Sequence, residues 1–150
     1  MKLWVLRHGE AEPHGTRPDS ERALTVKGRE EVLRTAAQLI GKPLTAIYAS
    51  PFLRAQETAL LVREALGFEP EIRTVEWLTP DTDPDKVAEQ LVSVSDVLLV
   101  SHNPLVGNLL SYLQHGAGYP PEKVSTAGLA ELENNELLIG SMKLNGIQHP

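Results

Sequence analysis

Apolar residues along the chain alternate between compact runs of strand length and stretches spaced for a helix. Lys2–Leu6 (KLWVL) is a compact apolar run and is expected to be a central strand. Glu10–Leu24 is polar and carries Pro13, Gly15 and Pro18, which predicts a loop. A helix should start near Thr25, with Val32, Leu33, Ala36, Ala37 and Ile40 as its core face and Gly41 and Pro43 as its stop. Leu44–Ala49 reads as a second strand. Ser50-Pro51 then has the form of a helix cap followed by proline at the first helical position. Ala55, Ala59, Val62 and Leu66 give the next helix its core face, and Gly67 ends it. Glu71–Val75 is a weak strand and Pro84–Val94 a helix. Asp96–Val100 (DVLLV) is a strong buried strand, and Asn103-Pro104 opens a helix through about Leu113. Leu129–Leu132 and Leu137–Met142 should be two strands of a hairpin around Asn134-Asn135.

Strands alternating with helices predict a three-layer α/β/α fold: a mostly parallel central sheet closed by a C-terminal antiparallel hairpin. With 150 residues and no long linker, one domain spanning residues 1–150 is expected. The sequence leaves no room for a large cap domain. In open sheets of this class ligands bind beyond the carboxyl ends of the strands. Three such ends carry chemistry here. The first strand runs into Arg7-His8-Gly9, where glycine permits a backbone turn that a side chain would hinder. The second runs into Ser50-Pro51, with Arg54 in the following turn. The DVLLV strand runs into Ser101-His102-Asn103.

Two arginines and two histidines therefore converge on one sheet edge. Such a cluster is costly without an anion to neutralise it. A phosphoryl group fits, because its transfer is catalysed mainly by positioning and charge neutralisation. Arg7 and Arg54 offer planar forks of N–H donors, and the helix starting at Asn103 adds backbone N–H groups. A neutral imidazole is a competent nucleophile, so one of His8 and His102 can attack while the other, protonated, steadies the phosphoryl oxygens. His14, His115 and His149 have no such context.

Composition narrows the class. A hydrophobic fraction of 41% and a charged fraction of 23% are ordinary for a globular chain. The net charge of −6 argues against nucleic acid or an anionic membrane surface as a partner. The absence of cysteine removes disulfides, cysteine-ligated zinc and a thiolate nucleophile, and fits a cytoplasmic protein. Leu3–Leu6 is too short for a signal or a membrane span. No histidine and carboxylate stand at metal-ligand spacing and two arginines would repel a cation, so no metal or other cofactor is expected.

Leu6-Arg7-His8-Gly9-Glu10, the Ser50–Thr58 run SPFLRAQET and Val100-Ser101-His102 resemble the three motif blocks of the histidine phosphatase superfamily, which includes the phosphoglycerate mutases. Their order and spacing match across nearly the whole chain. Leu24-Thr25 with Gly28, Leu78-Thr79-Pro80 and Ser101–Gly107 most resemble its SixA-like branch, the bacterial phosphohistidine phosphatases. The resemblance implies a metal-independent hydrolase with His8 as phosphate acceptor and Arg7, Arg54 and His102 as the rest of the pocket. Its substrate would be phosphohistidine in a protein, and inorganic phosphate a product. The same residues would serve a small phosphomonoester or sugar phosphate, or a non-catalytic module that binds a phosphoprotein. Relatives often use a glutamate beyond the second block as proton donor. Glu76 is near that place, but SixA-like chains carry the acid at the position of Trp77. Asp19 matches another acidic position, so both carboxylates are candidates. Many relatives have a glycine after the later histidine, where this chain has Asn103-Pro104.

Overall fold

The computed structural model describes residues Met1–Pro150. Six strands form one sheet: β1 Lys2–Arg7, β2 Ala46–Ala49, β3 Arg73–Thr74, β4 Val97–Ser101, β5 Leu129–Glu133 and β6 Lys143–Gln148. Their order is β3-β2-β4-β1-β5-β6. β1, β2, β3 and β4 are mutually parallel, while β5 and β6 run antiparallel to their neighbours, giving the expected mixed sheet. Four helices cover it: α1 Val26–Ala36, α2 Leu53–Leu66, α3 Pro84–Leu91 and α4 Leu105–His115.

The strands' period of two divides the core. Leu3, Val5, Val97 and Leu99 point to one face, where they pack with Val87 and Leu91 of α3 and Leu105 and Leu109 of α4. Trp4, Leu6, Leu98 and Val100 point to the other, with Val32 and Ala36 of α1 and Ala55, Ala59 and Val62 of α2. The β1 and β4 runs are apolar throughout because both faces are buried.

Three expectations are corrected. Leu33, Ala37 and Ile40 are exposed; α1 turns Gly28, Glu31, Val32, Thr35 and Ala36 inward, with Leu39 following in a 3-10 turn. Leu33 lies one residue from Val32, about 100° around the helix, so the two cannot share a narrow face. Leu137–Met142 is a turn rather than a strand, and the pairing partner of β5 is Lys143–Gln148. That strand forms the sheet edge and exposes much of its length, so its residues lack an apolar signature. Ser50-Pro51 does not cap α2, whose N-cap is Phe52.

Gly9 is needed for a different reason from the one its position suggests. A Cβ there would lie 2.6 Å from the Gly28 carbonyl oxygen and 2.8 Å from Val32 Cγ2. A Cβ on Gly28 would lie 2.0 Å from the Glu10 carbonyl oxygen. The two glycines let α1 press against the segment that leaves β1. Gly28→Ala is therefore expected to destabilise the protein by about 1–3 kcal/mol or more, as overpacking does. Chemical denaturation would show this as a lower midpoint, and an unchanged midpoint would contradict it.

Candidate active site

β1, β2 and β4 end level with one another. Arg7 pairs with Ser101 and Ala49 with Val100, so the residues just beyond each strand emerge side by side. Backbone hydrogen bonds extend the alignment: His8 N donates to Ser101 O at 3.0 Å and Ser50 N to Val100 O at 3.1 Å. Arg7 and His8 are also tied to the entry of β5, through Arg7 N to Gly128 O and Ala127 N to His8 O.

The imidazole of His8 donates from Nδ1 to the Gly9 carbonyl at 2.7 Å, the only role a carbonyl permits it. That assigns the lone pair to Nε2. Arg54 Nε lies 3.3 Å from this atom. The rest of the Arg54 guanidinium is held by Asp19: Nη1 donates to its carbonyl oxygen at 2.6 Å and Nη2 to its carboxylate at 3.3 Å. Arg54 is 3% exposed and lies over the Phe52 ring at 5.1 Å. His102 is buried edge-on to His8, with ring centroids 5.0 Å apart. Its Nε2 lies 2.8 Å from Ser50 Oγ, while its Nδ1 is buried without a partner. Arg7 Nη1 donates to Val124 O at 3.0 Å, and its Nε also lacks a partner.

These groups surround an open pocket of about 620 Å³. Arg7, His8, Arg54 and Asp19 line it, and so does Asn103. The Asn103 side chain is committed to the fold, donating to Val124 O and accepting from Gly107 N at the start of α4. Only its backbone is free for a ligand. His102 lies behind the wall rather than on it. Glu76 is exposed and takes no part in the wall, whereas Thr79, Pro80 and Asp81, a few residues on, do.

Sequence reasoning missed a third arginine. Arg22 lines the same pocket, is 8% exposed and donates from Nε to Asp19 Oδ1 at 3.0 Å. Its place just before Leu24-Thr25 was the available signal. The loop from Glu10 to Leu24 that carries it is closed at its base by the Ala11–Leu24 bridge. His14 sits on the pocket rim, 3.5 Å from Asp19 Oδ1.

The electrostatics follow from crowding cations in a buried place. Burial pushes the His8 pKa down to about 3; the Gly9 carbonyl opposes this, and Arg54, Arg7 and Arg22 add to it. Burial, then the charges of His8, Arg54, Arg22 and Arg7, holds His102 well below the usual imidazole range. Partial burial raises the Asp19 pKa, but the hydrogen bond from Arg22 and the charge of Arg54 outweigh it, so the carboxyl ends below its usual range. Burial also lowers both arginines, with Asp19 opposing it at Arg54 and Glu31 at Arg7. With the site empty, both histidines are neutral at pH 7.

This fixes the sign of a pH effect. The unfolded chain protonates these histidines near their ordinary value of about 6.5, while the folded chain resists until far lower pH. Between about pH 6.5 and about 3 the unfolded state therefore binds more protons, and stability falls as the solution is acidified. Denaturation midpoints should drop between about pH 7 and about pH 5, and phosphate or tungstate should oppose the drop by neutralising the cations. A flat profile would contradict the burial of neutral histidines.

The sequence model of the histidine phosphatase superfamily (branch 1) matches residues 3–78, which include Arg7, His8 and Arg54. The phosphohistidine phosphatase SixA of Escherichia coli (strain K12) is 32% identical over 143 residues, covering 91% of this chain and 87% of that protein. The chain belongs to the histidine phosphatase superfamily. It is accordingly a hydrolase of that superfamily, as its motifs imply. A solved structure of the protein histidine phosphatase SixA complexed with tungstate superposes with a TM-score of 0.88 at 31% identity, covering 99% of this chain and 97% of that one. A mycobacterial glucosyl-3-phosphoglycerate phosphatase superposes with a TM-score of 0.73 at 19% identity, covering 96% of each chain, and shares the fold. No helix of this histidine phosphatase superfamily member is long and apolar enough to cross a membrane.

Proposed function

We propose that this protein hydrolyses phosphohistidine on a protein substrate through a phosphoryl intermediate on His8. The observation that carries this reading is the unprotonated Nε2 of His8, set among Arg7, Arg22 and Arg54 in an open pocket and covered in the empty site only by Arg54 Nε. His8 Nε2 attacks phosphorus while the bond from phosphorus to the substrate imidazole breaks. The leaving nitrogen keeps the electron pair, and the imidazole departs neutral because its other nitrogen already carries a proton. Water then attacks the phosphoryl group, the bond to Nε2 breaks, and inorganic phosphate leaves. Arg7 and Arg54 neutralise the oxygens. The unpartnered Arg7 Nε is a polar atom that an anion in the site would satisfy. His102 takes up a proton once the bound anion cancels the surrounding positive charge. The backbone N–H groups at Asn103 and the start of α4 add a partial positive charge.

Asp19 is the proton acceptor in this scheme, taking a proton from the attacking water, since it is held ionised by Arg22 and Arg54 and stands on the wall where Glu76 does not. It gains basicity when Arg54 turns from it to the phosphoryl group. An imidazole already protonated on its other nitrogen is a good leaving group, so its departure needs no dedicated acid. The pocket is open, walled on two sides by the Glu10–Leu24 loop and by Thr79–Asp81, which suits a phosphate presented on another protein's surface. It offers little to enclose a free sugar. The arginines do the charge work otherwise given to a metal ion.

Initial rates on a phosphohistidine-bearing protein and a panel of small phosphoesters at equal concentration test the reading. The phosphoprotein should show the highest kcat/KM, and activity should survive excess EDTA. A sugar phosphate turned over about a hundredfold faster, a gap of roughly 2.7 kcal/mol, would transfer the assignment to a small-ester phosphatase. Binding without turnover would make the protein a recognition module. Loss on chelation, restored by a divalent ion, would sink the metal-free mechanism.

A further inference from the structure

A second cleft, of about 500 Å³, lies where α3 and α4 meet. Asp83 and Asp85 stand at the start of α3, Asn108, Ser111 and Tyr112 on α4, and Tyr119 on the turn beyond it. Two carboxylates and two phenol rings line the cleft, with no lysine or arginine. Asp85 Oδ1 accepts a hydrogen bond from the backbone N–H of Lys86 at 3.0 Å, leaving its second oxygen free. Ser111 is the independent sign of a ligand. It is 2% exposed, it lines the cleft, and its Oγ has no hydrogen-bond partner. A buried hydroxyl left in this state carries a desolvation cost that an incoming donor relieves.

The cleft is also placed to work with the catalytic pocket. Asp81 lines that pocket and Asp83 and Asp85 line the cleft, so alternate residues of one short segment carry negative charge from one to the other. α4 begins beside the pocket wall at Asn103, and Ser111 lies roughly 10 Å further along it. An interface of ordinary size, about 800 Å² on each partner, covers both. A small phosphate ester reaches only the first.

We propose that this cleft is a docking site for an arginine or lysine side chain of the phosphoprotein substrate, and that it favours proteins over small esters. The proposal rests on the reading of the substrate given above. A guanidinium group has the matching chemistry. It donates to a carboxylate through its fork, to Ser111 Oγ with a remaining N–H, and stacks on a tyrosine face.

The test uses the full chain, the double variants Asp83→Asn with Asp85→Asn and Asp83→Lys with Asp85→Lys, and three substrates. One is a helical phosphotransfer domain bearing phosphohistidine with two arginines one helical turn away. The second is that domain with both arginines changed to glutamate, and the third is para-nitrophenyl phosphate. The lysine variant should raise KM for the arginine domain about tenfold with kcat held. It should also prefer the glutamate domain and leave para-nitrophenyl phosphate unchanged. Added salt should shrink the difference. Equal KM values for the two domains overturn the proposal, as does an equal loss on para-nitrophenyl phosphate. If the wild type turns over the ester but neither domain, the reading of the substrate has failed, and a titration with N-acetyl-arginine amide judges the cleft alone. Saturable shifts of the Tyr112 and Tyr119 ring resonances, lost in the asparagine variant, sustain it as a site for a cationic side chain. Their absence in the wild type removes it.

Discussion

His8→Ala should abolish turnover and leave the fold in place. The expectation follows from what each ring nitrogen does. Nδ1 is spent on the Gly9 carbonyl, which fixes the ring and leaves Nε2 as the only basic lone pair directed to the pocket. With a pKa near 3 in the empty site, that lone pair is unprotonated across the physiological range, so no base is needed to create the nucleophile. Removing it deletes the covalent step, and no neighbour can replace it. His102 is behind the wall and bound through Nε2 to Ser50, and the arginines have no lone pair to give. Incubation with substrate and trapping without acid should place phosphate on His8 of the wild type, in a bond that is acid-labile and alkali-stable. The variant should trap none. Its circular dichroism should match the wild type, because the backbone bonds of residue 8 to Ser101 and Ala127 do not use the side chain. Activity above a trace in a folded variant would remove His8 from the nucleophile's role.

Much of this site is legible in the sequence because three of its groups sit at the ends of buried strands. An apolar run such as KLWVL or DVLLV announces both the strand and the place where its carboxyl end delivers a residue. Arg7, His8 and His102 are found this way, and Arg54 by its place in the first turn of the helix that follows β2. Asp19 and Arg22 are different in kind. They reach the pocket from a loop whose course is set by the Ala11–Leu24 bridge and by contacts across the chain, among them Leu24 N to Glu57 Oε1 at 2.8 Å. Nothing in local spacing encodes those contacts. Glu76 shows the converse: its position in the sequence is near that of a relative's acid, but it starts a short 3-10 turn and faces solvent, while Trp77 packs against the core. The second strand of the C-terminal hairpin lies further along the chain than its apolar pattern suggests, for a further reason. Leu137, Leu138 and Ile139 are the more apolar run, yet the edge strand is the polar Lys143–Gln148, because an edge with an exposed face does not select for hydrophobicity.

Arg54→Ala should cost on the order of 10²–10³ in kcat/KM, the range found on removing one donor to a developing oxyanion. Arg54→Lys should recover only part of it. The structure says why the shape of the group matters as well as its charge. One plane carries Nε toward His8 Nε2 and the two terminal nitrogens toward Asp19, and Phe52 supports its face. An ammonium group can occupy one of those three positions at a time. In the empty enzyme the fork is held by Asp19, and its Nε covers the lone pair that must attack phosphorus. A phosphoryl group that draws the fork onto its own oxygens therefore does two things together. It uncovers the nucleophile and it frees the Asp19 carboxylate for proton transfer. Lysine keeps the charge but breaks this coupling, so the lysine variant should bind tungstate or phosphate better than the alanine variant does and still turn over poorly. Calorimetric titration beside steady-state rates separates the two effects. Full rescue by lysine would reduce Arg54 to a point charge, and unchanged oxyanion binding in the alanine variant would place it outside the pocket.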